Sequence, residues 1–365
     1  MKIGFFTDSY FPGIDGVTYT IDLWRAELEA KGHEVYVVYP DGDYEPDENE
    51  IPVRSLPNPF YRGYRIPLFK RTSKLPDLDI VHCHGPAPVG ILGRYYAWKH
   101  DVPSIYTHHT PLEEYFHQSV KSRTVARGLS KLYVPWENSL LGSFDVVTAS
   151  TSRINRAVEY IELPVGIDME FFQPTDEDWY PDPDQTVVGY SGRLSMEKNV
   201  DEVLRVAAKL PEYEFVVVGE GPYREPLEAQ APENVTLRDF LPREDVPTFY
   251  SSIDVFVTAS TGDTLGLSTL EANACGTPVA AADVPPFDET IQPENGDRFA
   301  LGDLEAMAEG IESCLETDRD TRAAVERYAI DRTLVHLEQL YHNVPLTTPA
   351  ASALEDLQWQ PSHED

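Results

Sequence analysis

Short apolar runs alternate with helical patterns along almost the whole chain, and they do so in two rounds. In the first half, Ile3 to Thr7, Val35 to Tyr39, Ile80 to His82, Ser104 to Thr107 and Val146 to Ala149 read as buried strands. In the second half, Val187 to Tyr190, Phe215 to Val218, Val235 to Leu237, Val255 to Thr258 and Pro278 to Ala281 do the same. Helical patterns separate them, beginning with Val17 to Ala30, which Gly32 stops. Strands that alternate with helices build βαβ units, and these build parallel sheets covered on both faces. The expected class is α/β, with two Rossmann-like doubly wound domains. A short echo links the halves: Asp145-Val146-Val147-Thr148-Ala149-Ser150 against Asp254-Val255-Phe256-Val257-Thr258-Ala259-Ser260. It is too brief to establish a duplication.

The length, 365 residues, fits two domains. Pro and Gly break both periodicities at Leu163-Pro164-Val165-Gly166-Ile167-Asp168, which places the hinge there. The expected divisions are 1–165, 166–325, a last helical stretch 326–344 that can pack back on the first domain, and a disordered acidic tail, 345–365. Doubly wound sheets bind ligands beyond the carboxyl ends of their strands. Two such domains point to a shared cleft as the active site.

Charge separates the halves. The formal net charge is −33. Residues 1–165 hold 17 Lys and Arg against 21 Asp and Glu, whereas residues 166–365 hold 12 against 41. So acidic a chain disfavours a nucleic-acid partner, which needs a basic surface. The acidity reads as adaptation to high salt, where hydrated carboxylates keep a protein soluble. No apolar run reaches the roughly 18 residues of a membrane span, and the first residues lack the stretch of a signal peptide. Cys83, Cys275 and Cys314 are too few for a disulfide framework. A cytoplasmic setting is expected.

Two segments carry chemistry. The first is Gly189-Tyr190-Ser191-Gly192-Arg193-Leu194-Ser195-Met196-Glu197-Lys198-Asn199, after a strand and before a helix. Arg193 and Lys198 there suit a diphosphate, one as a planar fork and one as a point charge. The bland reading is ion pairing with Glu197 or Asp201. The second is Ser260 to Ala272, read as strand, loop and helix, with Asp263 where the helix should begin. The backbone N–H groups of Thr264, Leu265 and Gly266 would then face an anion or sugar hydroxyls. Glu271 would lie about 80° around that helix from Asp263. The bland reading of Asp263 is a plain N-cap.

Gly192-Arg193-Leu194 with Lys198, Asp263 through Glu271, and Gly276-Thr277-Pro278-Val279 together resemble a retaining glycosyltransferase of family four. In the first half the matching residues are Gly13 to Val17, Lys31-Gly32-His33-Glu34-Val35, His82-Cys83-His84 and Tyr106-Thr107-His108-His109-Thr110. Pro164 to Asp168 matches the interdomain segment. The resemblance implies the GT-B fold, with an acceptor-binding first domain and a nucleotide-sugar-binding second domain. It makes Arg193 and Lys198 the holders of the departing diphosphate, with no metal or other cofactor. Glu271 would bind the ribose. Asp263 and the loop Thr264 to Gly266 would meet the donor sugar, although Asp263 stands where the family has Glu. Gly16 would let the backbone approach the phosphates, and Asp15 replaces the family's second glycine there. His109 aligns with a histidine near donor sugar and acceptor, able to hydrogen-bond a hydroxyl or assist proton transfer. The implied chemistry is a front-face displacement without a protein nucleophile. His82 and His84 share one strand face with Cys83 turned away, which does not favour a metal. The pairs Asp41/Asp43, Asp77/Asp79 and Asp182/Asp184 read as surface acidity.

The first half also holds two acid-free basic islands. One carries Arg54, Arg62, Arg65, Lys70, Arg71 and Lys74, interleaved with Phe60, Tyr61, Tyr64 and Phe69. The other carries Lys121, Arg123, Arg127 and Lys131, the last three four residues apart. Basic and aromatic surface suits an anionic membrane; intramolecular pairing or a solvated face is the other reading. Tyr106 to Tyr115 is similar to the branch acting on diacylglycerol-type or phosphatidylinositol-type lipids. The expected function is hexose transfer from a nucleotide-diphosphate sugar, UDP-hexose first, to a membrane lipid by a peripheral enzyme. The alternatives are a soluble or polyprenyl-linked glycan acceptor, or a sugar-nucleotide epimerase.

Overall fold

The computed structural model describes residues 1–13, 15–57, 65–68, 75–109, 123–151, 154, 156–182 and 184–344; for residues 123, 124 and 126 it describes the backbone alone. The chain divides into two compact units, Met1–Gly166 with the chain from Asp331, and Ile167–Ile330.

The first unit is built on β1 (Lys2–Phe6), β2 (Glu34–Pro40), β3 (Glu50–Val53), the hairpin strands β4 (Ser55–Pro57) and β5 (Arg65–Pro67), then β6 (Ile80–Cys83), β7 (Ser104–His108), β8 (Val146–Ala149) and β9 (Ile161–Glu162). Its sheet runs β3-β2-β1-β6-β7-β8-β9 and every pairing is parallel. The second unit contains β10 (Val187–Ser191), β11 (Glu214–Val218), β12 (Val235–Arg238), β13 (Val255–Thr258), β14 (Val279–Ala282) and β15 (Gly296–Phe299). Its order is β12-β11-β10-β13-β14-β15, again all parallel. Both sheets reverse their winding beside the first strand, between β1 and β6 and between β10 and β13. Loops diverge there, leaving a crevice at the carboxyl ends.

The apolar runs are buried on both faces because helices cover both. Ile3, Phe5, Phe6, Val37, Val38, Ile80 and Val81 are fully inaccessible in the first unit, as are Phe215, Val255, Phe256 and Val257 in the second. Parallel strands need this continuous apolarity. The helix Ile330–Asn343 follows the second unit yet packs on the first. Thr333 donates to Pro164 O at 2.9 Å, and Tyr341 is buried against His82.

The echo between the halves has a structural meaning. Asp145, just before β8, accepts from Ser104 N at 2.8 Å, and Asp254, just before β13, accepts from Val187 N at 2.8 Å. Asp79, before β6, does the same to Lys2 N at 2.7 Å. Each acid ties the amino end of its strand to that of a neighbour. Asp79 is thus a sheet clamp rather than plain surface acidity. Asp41 also has a local task, accepting from Ser55 N at 2.7 Å.

Some elements carried no sequence signal. β3 and β15 are short edge strands, and Gly296-Asp297-Arg298-Phe299 has no apolar run to announce it. Edge strands are solvated on one side and need less apolarity.

Candidate functional site

In the second unit the two chemistry-bearing loops follow β10 and β13, at the point where the sheet reverses. They are knitted to each other. Asn199 Nδ2 donates to Ala259 O at 2.9 Å, and Thr261 N donates to Glu197 O at 2.8 Å. Lys198 Nζ lies 2.7 Å from Asp263 Oδ1, with side chains 17% and 21% exposed. Lys198 therefore pairs with Asp263, not with Glu197 or Asp201. Glu197 instead accepts from Ser195 Oγ at 2.5 Å. A third loop, after β11, backs this arrangement. Leu194 N donates to Glu220 O at 2.8 Å, and Gly192 N to Val218 O at 3.0 Å. Gly219 has φ +148°, and a Cβ there would sit 1.9 Å from Gly192 O, so only glycine admits this approach. Arg193 is half-buried in the braced loop.

Asp263 does not cap a helix. The helix is Leu267–Ala274, and its cap residue is Gly266, with φ 77°. Asp263 lies in the loop before it, so the 80° relation to Glu271 does not hold. The loop runs on past Asp263 because Gly266 takes a left-handed turn against Phe287, where a Cβ would come within 2.7 Å of Cε1. Thr264, Leu265 and Gly266 form the link from Asp263 into the helix, with Leu265 buried.

The electrostatics of the two acids differ. Burial disfavours the charge on Asp263, but Lys198 and the Ser260 hydroxyl outweigh it and hold the carboxyl below its usual range. Burial dominates at Glu271 and pushes it up to about 7, against the pull of Arg243 and the Tyr250 hydroxyl. Tyr250 Oη donates to Glu271 Oε2 at 3.3 Å. Arg243 was not singled out from sequence; it lies far from both motifs along the chain.

In the first unit the loop after β1 leads into the helix Gly16–Ala30. Asp15 is its N-cap, accepting from Thr18 N at 2.8 Å. This accounts for Asp where the family has glycine: the carboxylate satisfies a free N–H that glycine would leave to a ligand or water. Gly16 is the exposed first helical residue. His84 and His109 leave the ends of β6 and β7, and His84 Nδ1 is 3.0 Å from His109 Nε2. Burial lowers the His109 pKa to about 4, with His108 adding to the effect and Asp15 opposing it. A base that weak is neutral at pH 7. It serves as a hydrogen-bond partner better than as a proton store.

Two further groups were not singled out from the sequence. Asp8, at the end of β1, accepts from Val89 N at 2.9 Å, and burial raises it to about 6. Beneath β7, Glu137 and Arg156 form an ion pair with side chains 0% and 1% exposed. His108 Nε2 lies 4.0 Å from Glu137, on the other side of the strand from His109. The signal at Asp8 was available: an acid directly after a buried strand.

The islands are divided. Arg62, Lys70, Arg71 and Lys74 lie outside the described residues, as does the side chain of Arg123. Arg65 donates from Nε to Ser55 Oγ at 2.7 Å and faces Asp41 at 3.4 Å, so its island is acid-free in sequence but not in space. Arg127 and Lys131 are exposed on the helix Arg123–Leu141. That helix also exposes Val125, Leu129, Leu132 and Trp136, by 53, 41, 76 and 44%. At roughly 100° per residue these four share one narrow arc, and the two cations fall on another.

Among the described residues no helix is long and apolar enough to cross a membrane, and no three His, Cys, Asp or Glu could hold a metal. His82 and His84 stack at 4.3 Å instead.

Residues 14–162 match the model of Glycosyltransferase Family 4, and residues 173–332 that of Glycosyl transferases group 1. The chain is a glycosyltransferase built of these two family domains. Alpha-monoglucosyldiacylglycerol synthase of Streptococcus pneumoniae is 29% identical over 352 residues, covering 87% of this chain and 79% of the relative. A GDP-mannose-dependent alpha-mannosyltransferase of Mycolicibacterium smegmatis is 28% identical, covering 78% and 80%. Among solved structures, sucrose-phosphate synthase from Thermosynechococcus elongatus matches with a TM-score of 0.72, at 19% identity, over 94% of this chain and 98% of that one. The glycosyltransferase has the GT-B fold, two Rossmann-like units with parallel sheets.

Proposed function

We propose that this glycosyltransferase moves a hexose from a nucleotide-diphosphate sugar to a membrane lipid, with retention. The observation that carries the donor half is the Lys198–Asp263 pair, held in interlocked loops where the second sheet reverses. A cation kept in place by a carboxylate is preorganised for a diphosphate and needs no rearrangement as charge develops. Arg193 adds a fork for the same group. Glu271 accepts from ribose hydroxyls, and Asp263 with the Thr264–Gly266 loop meets the sugar. His109 hydrogen-bonds a hydroxyl of sugar or acceptor. The bond from the anomeric carbon to the phosphate oxygen breaks as the acceptor oxygen bonds the same face. The acceptor's proton passes to the departing phosphate. No metal is required in this scheme, because the two cations neutralise the leaving group.

The lipid half is supported by the name of the Streptococcus pneumoniae relative and by the exposed apolar ridge on helix Arg123–Leu141. Such a ridge suits an acyl boundary, with the enzyme peripheral on the cytoplasmic face. UDP-hexose is the first donor to try. The Mycolicibacterium smegmatis relative's name favours GDP-mannose as the second. The test is a screen of purified enzyme with UDP- and GDP-hexoses and extracted lipid in high salt. A labelled glycolipid is expected. Transfer to soluble glycan but not lipid would sink the lipid half, and conversion of the sugar nucleotide with no acceptor would indicate an epimerase.

A further inference from the structure

His84 and His109 stand at the carboxyl ends of neighbouring strands. Their rings lie edge to edge and nearly coplanar, with centroids 5.3 Å apart and planes 24° from parallel. The 3.0 Å contact between His84 Nδ1 and His109 Nε2 is a hydrogen bond between neutral imidazoles, because burial holds both rings below the usual histidine range. A neutral imidazole offers one donor and one acceptor nitrogen. With Nε2 taken, His109 has only Nδ1 left for a ligand. That nitrogen makes no hydrogen bond with a described residue and is not among the sealed, unpartnered atoms of the unit.

His84 cannot swing away. It stacks on His82 at 4.3 Å and meets Phe5 and Trp24 edge-on at 4.9 and 5.7 Å. His82 is fixed in turn by Tyr341 Oη at 2.8 Å and Thr107 Oγ1 at 2.6 Å. The other nitrogen of His84, Nε2, is buried without a partner. Such an atom is costly to bury, and an apolar side chain would avoid the cost. The role of the ring is therefore what Nδ1 does.

We propose that His84 is a positioning residue that grips His109 by Nε2 and makes Nδ1 the nitrogen that meets the sugar or acceptor hydroxyl. This rests on the reading that His109 works at the site. The two rings are coupled. When His84 donates, His109 carries its proton on Nδ1 and donates to the ligand; when His84 accepts, Nδ1 accepts.

Isosteres separate the nitrogens, since an Asn amide falls near Nδ1 and a Gln amide near Nε2. His109→Asn is expected to keep about tenfold more kcat than His109→Gln. Gln equal to or better than Asn overturns the proposal. Wild-type turnover in His109→Ala instead overturns the reading beneath it. His84→Leu should lower kcat about tenfold with donor KM and Tm unchanged, and His84→Asn should recover most of it. Equal losses in both, with a fall in Tm, would make His84 a structural residue only. In histidine-labelled protein, the His109 Nε2 resonance should shift in His84→Leu, and an unmoved resonance overturns the grip.

Discussion

Lys198 Nζ and Asp263 Oδ1 are 2.7 Å apart, although the residues are 65 positions apart in sequence. The contact joins the loops after β10 and β13, so charge neutralisation and loop geometry are one feature. Lys198→Ala should lower turnover at least about tenfold, since one charged contact to a leaving group is worth 1.4 kcal/mol or more. It should also leave burial as the main influence on Asp263, which raises its pKa. Asp263→Asn should bind free nucleoside diphosphate at least as tightly while transferring sugar more slowly, because Lys198 loses its competitor. Titration calorimetry with steady-state kinetics checks both, and near-normal turnover in Lys198→Ala would remove it from the site.

Glu271 titrates near 7 in the folded protein against a reference of 4.5. Between those values the unfolded chain has lost this proton and the folded protein keeps it. Stability from this group therefore falls as pH rises from about 4.5 to about 7, then levels off. Glu271→Gln should flatten that part of a denaturation-against-pH curve. Nucleotide binding should run the other way, strengthening through pH 7 as the carboxylate forms and accepts from hydroxyls. An unchanged slope in the Gln variant would mean another group sets it.

Glu137→Ala should destabilise the first unit by about 3–5 kcal/mol, because Arg156 keeps its charge in a site with almost no solvent. Replacing both with Met should cost less than the single change. Thermal unfolding of the two variants decides the point, and a double variant worse than the single one would contradict it.

Leu132→Asp and Trp136→Ser should weaken vesicle binding while leaving nucleotide affinity intact. The binding should persist in concentrated salt, where the Debye length shrinks to about 3 Å but apolar burial does not weaken. Flotation with anionic and neutral vesicles tests this. Binding lost at high salt would point to the cations Arg127 and Lys131 instead of the ridge.

Much of the fold was legible. Val187 to Tyr190 and Val255 to Thr258 announced β10 and β13 because doubly covered strands must be apolar throughout. The loops after them could be read as the candidate site, since Arg193, Lys198 and Asp263 follow directly. The helix start after Asp263 was misplaced. An acid looks like a cap in sequence, and only the left-handed turn at Gly266 against Phe287 shows where the helix begins. Asp15 presents the converse case, a real cap whose pattern was overshadowed by the family's glycine. Arg65 looked unpaired because Asp41 reaches it only through the β2 and hairpin geometry.

Sequence by itself determined the α/β class, the two rounds of strands and the residue types at the strand ends, because burial and φ/ψ preference act locally. Tertiary structure decided the partnerships. Lys198 finds Asp263, His84 grips His109, and Tyr341 from the last helix anchors His82. These pairings depend on which strand ends lie side by side, and strand order in a parallel sheet is set by crossovers that no short stretch of sequence encodes.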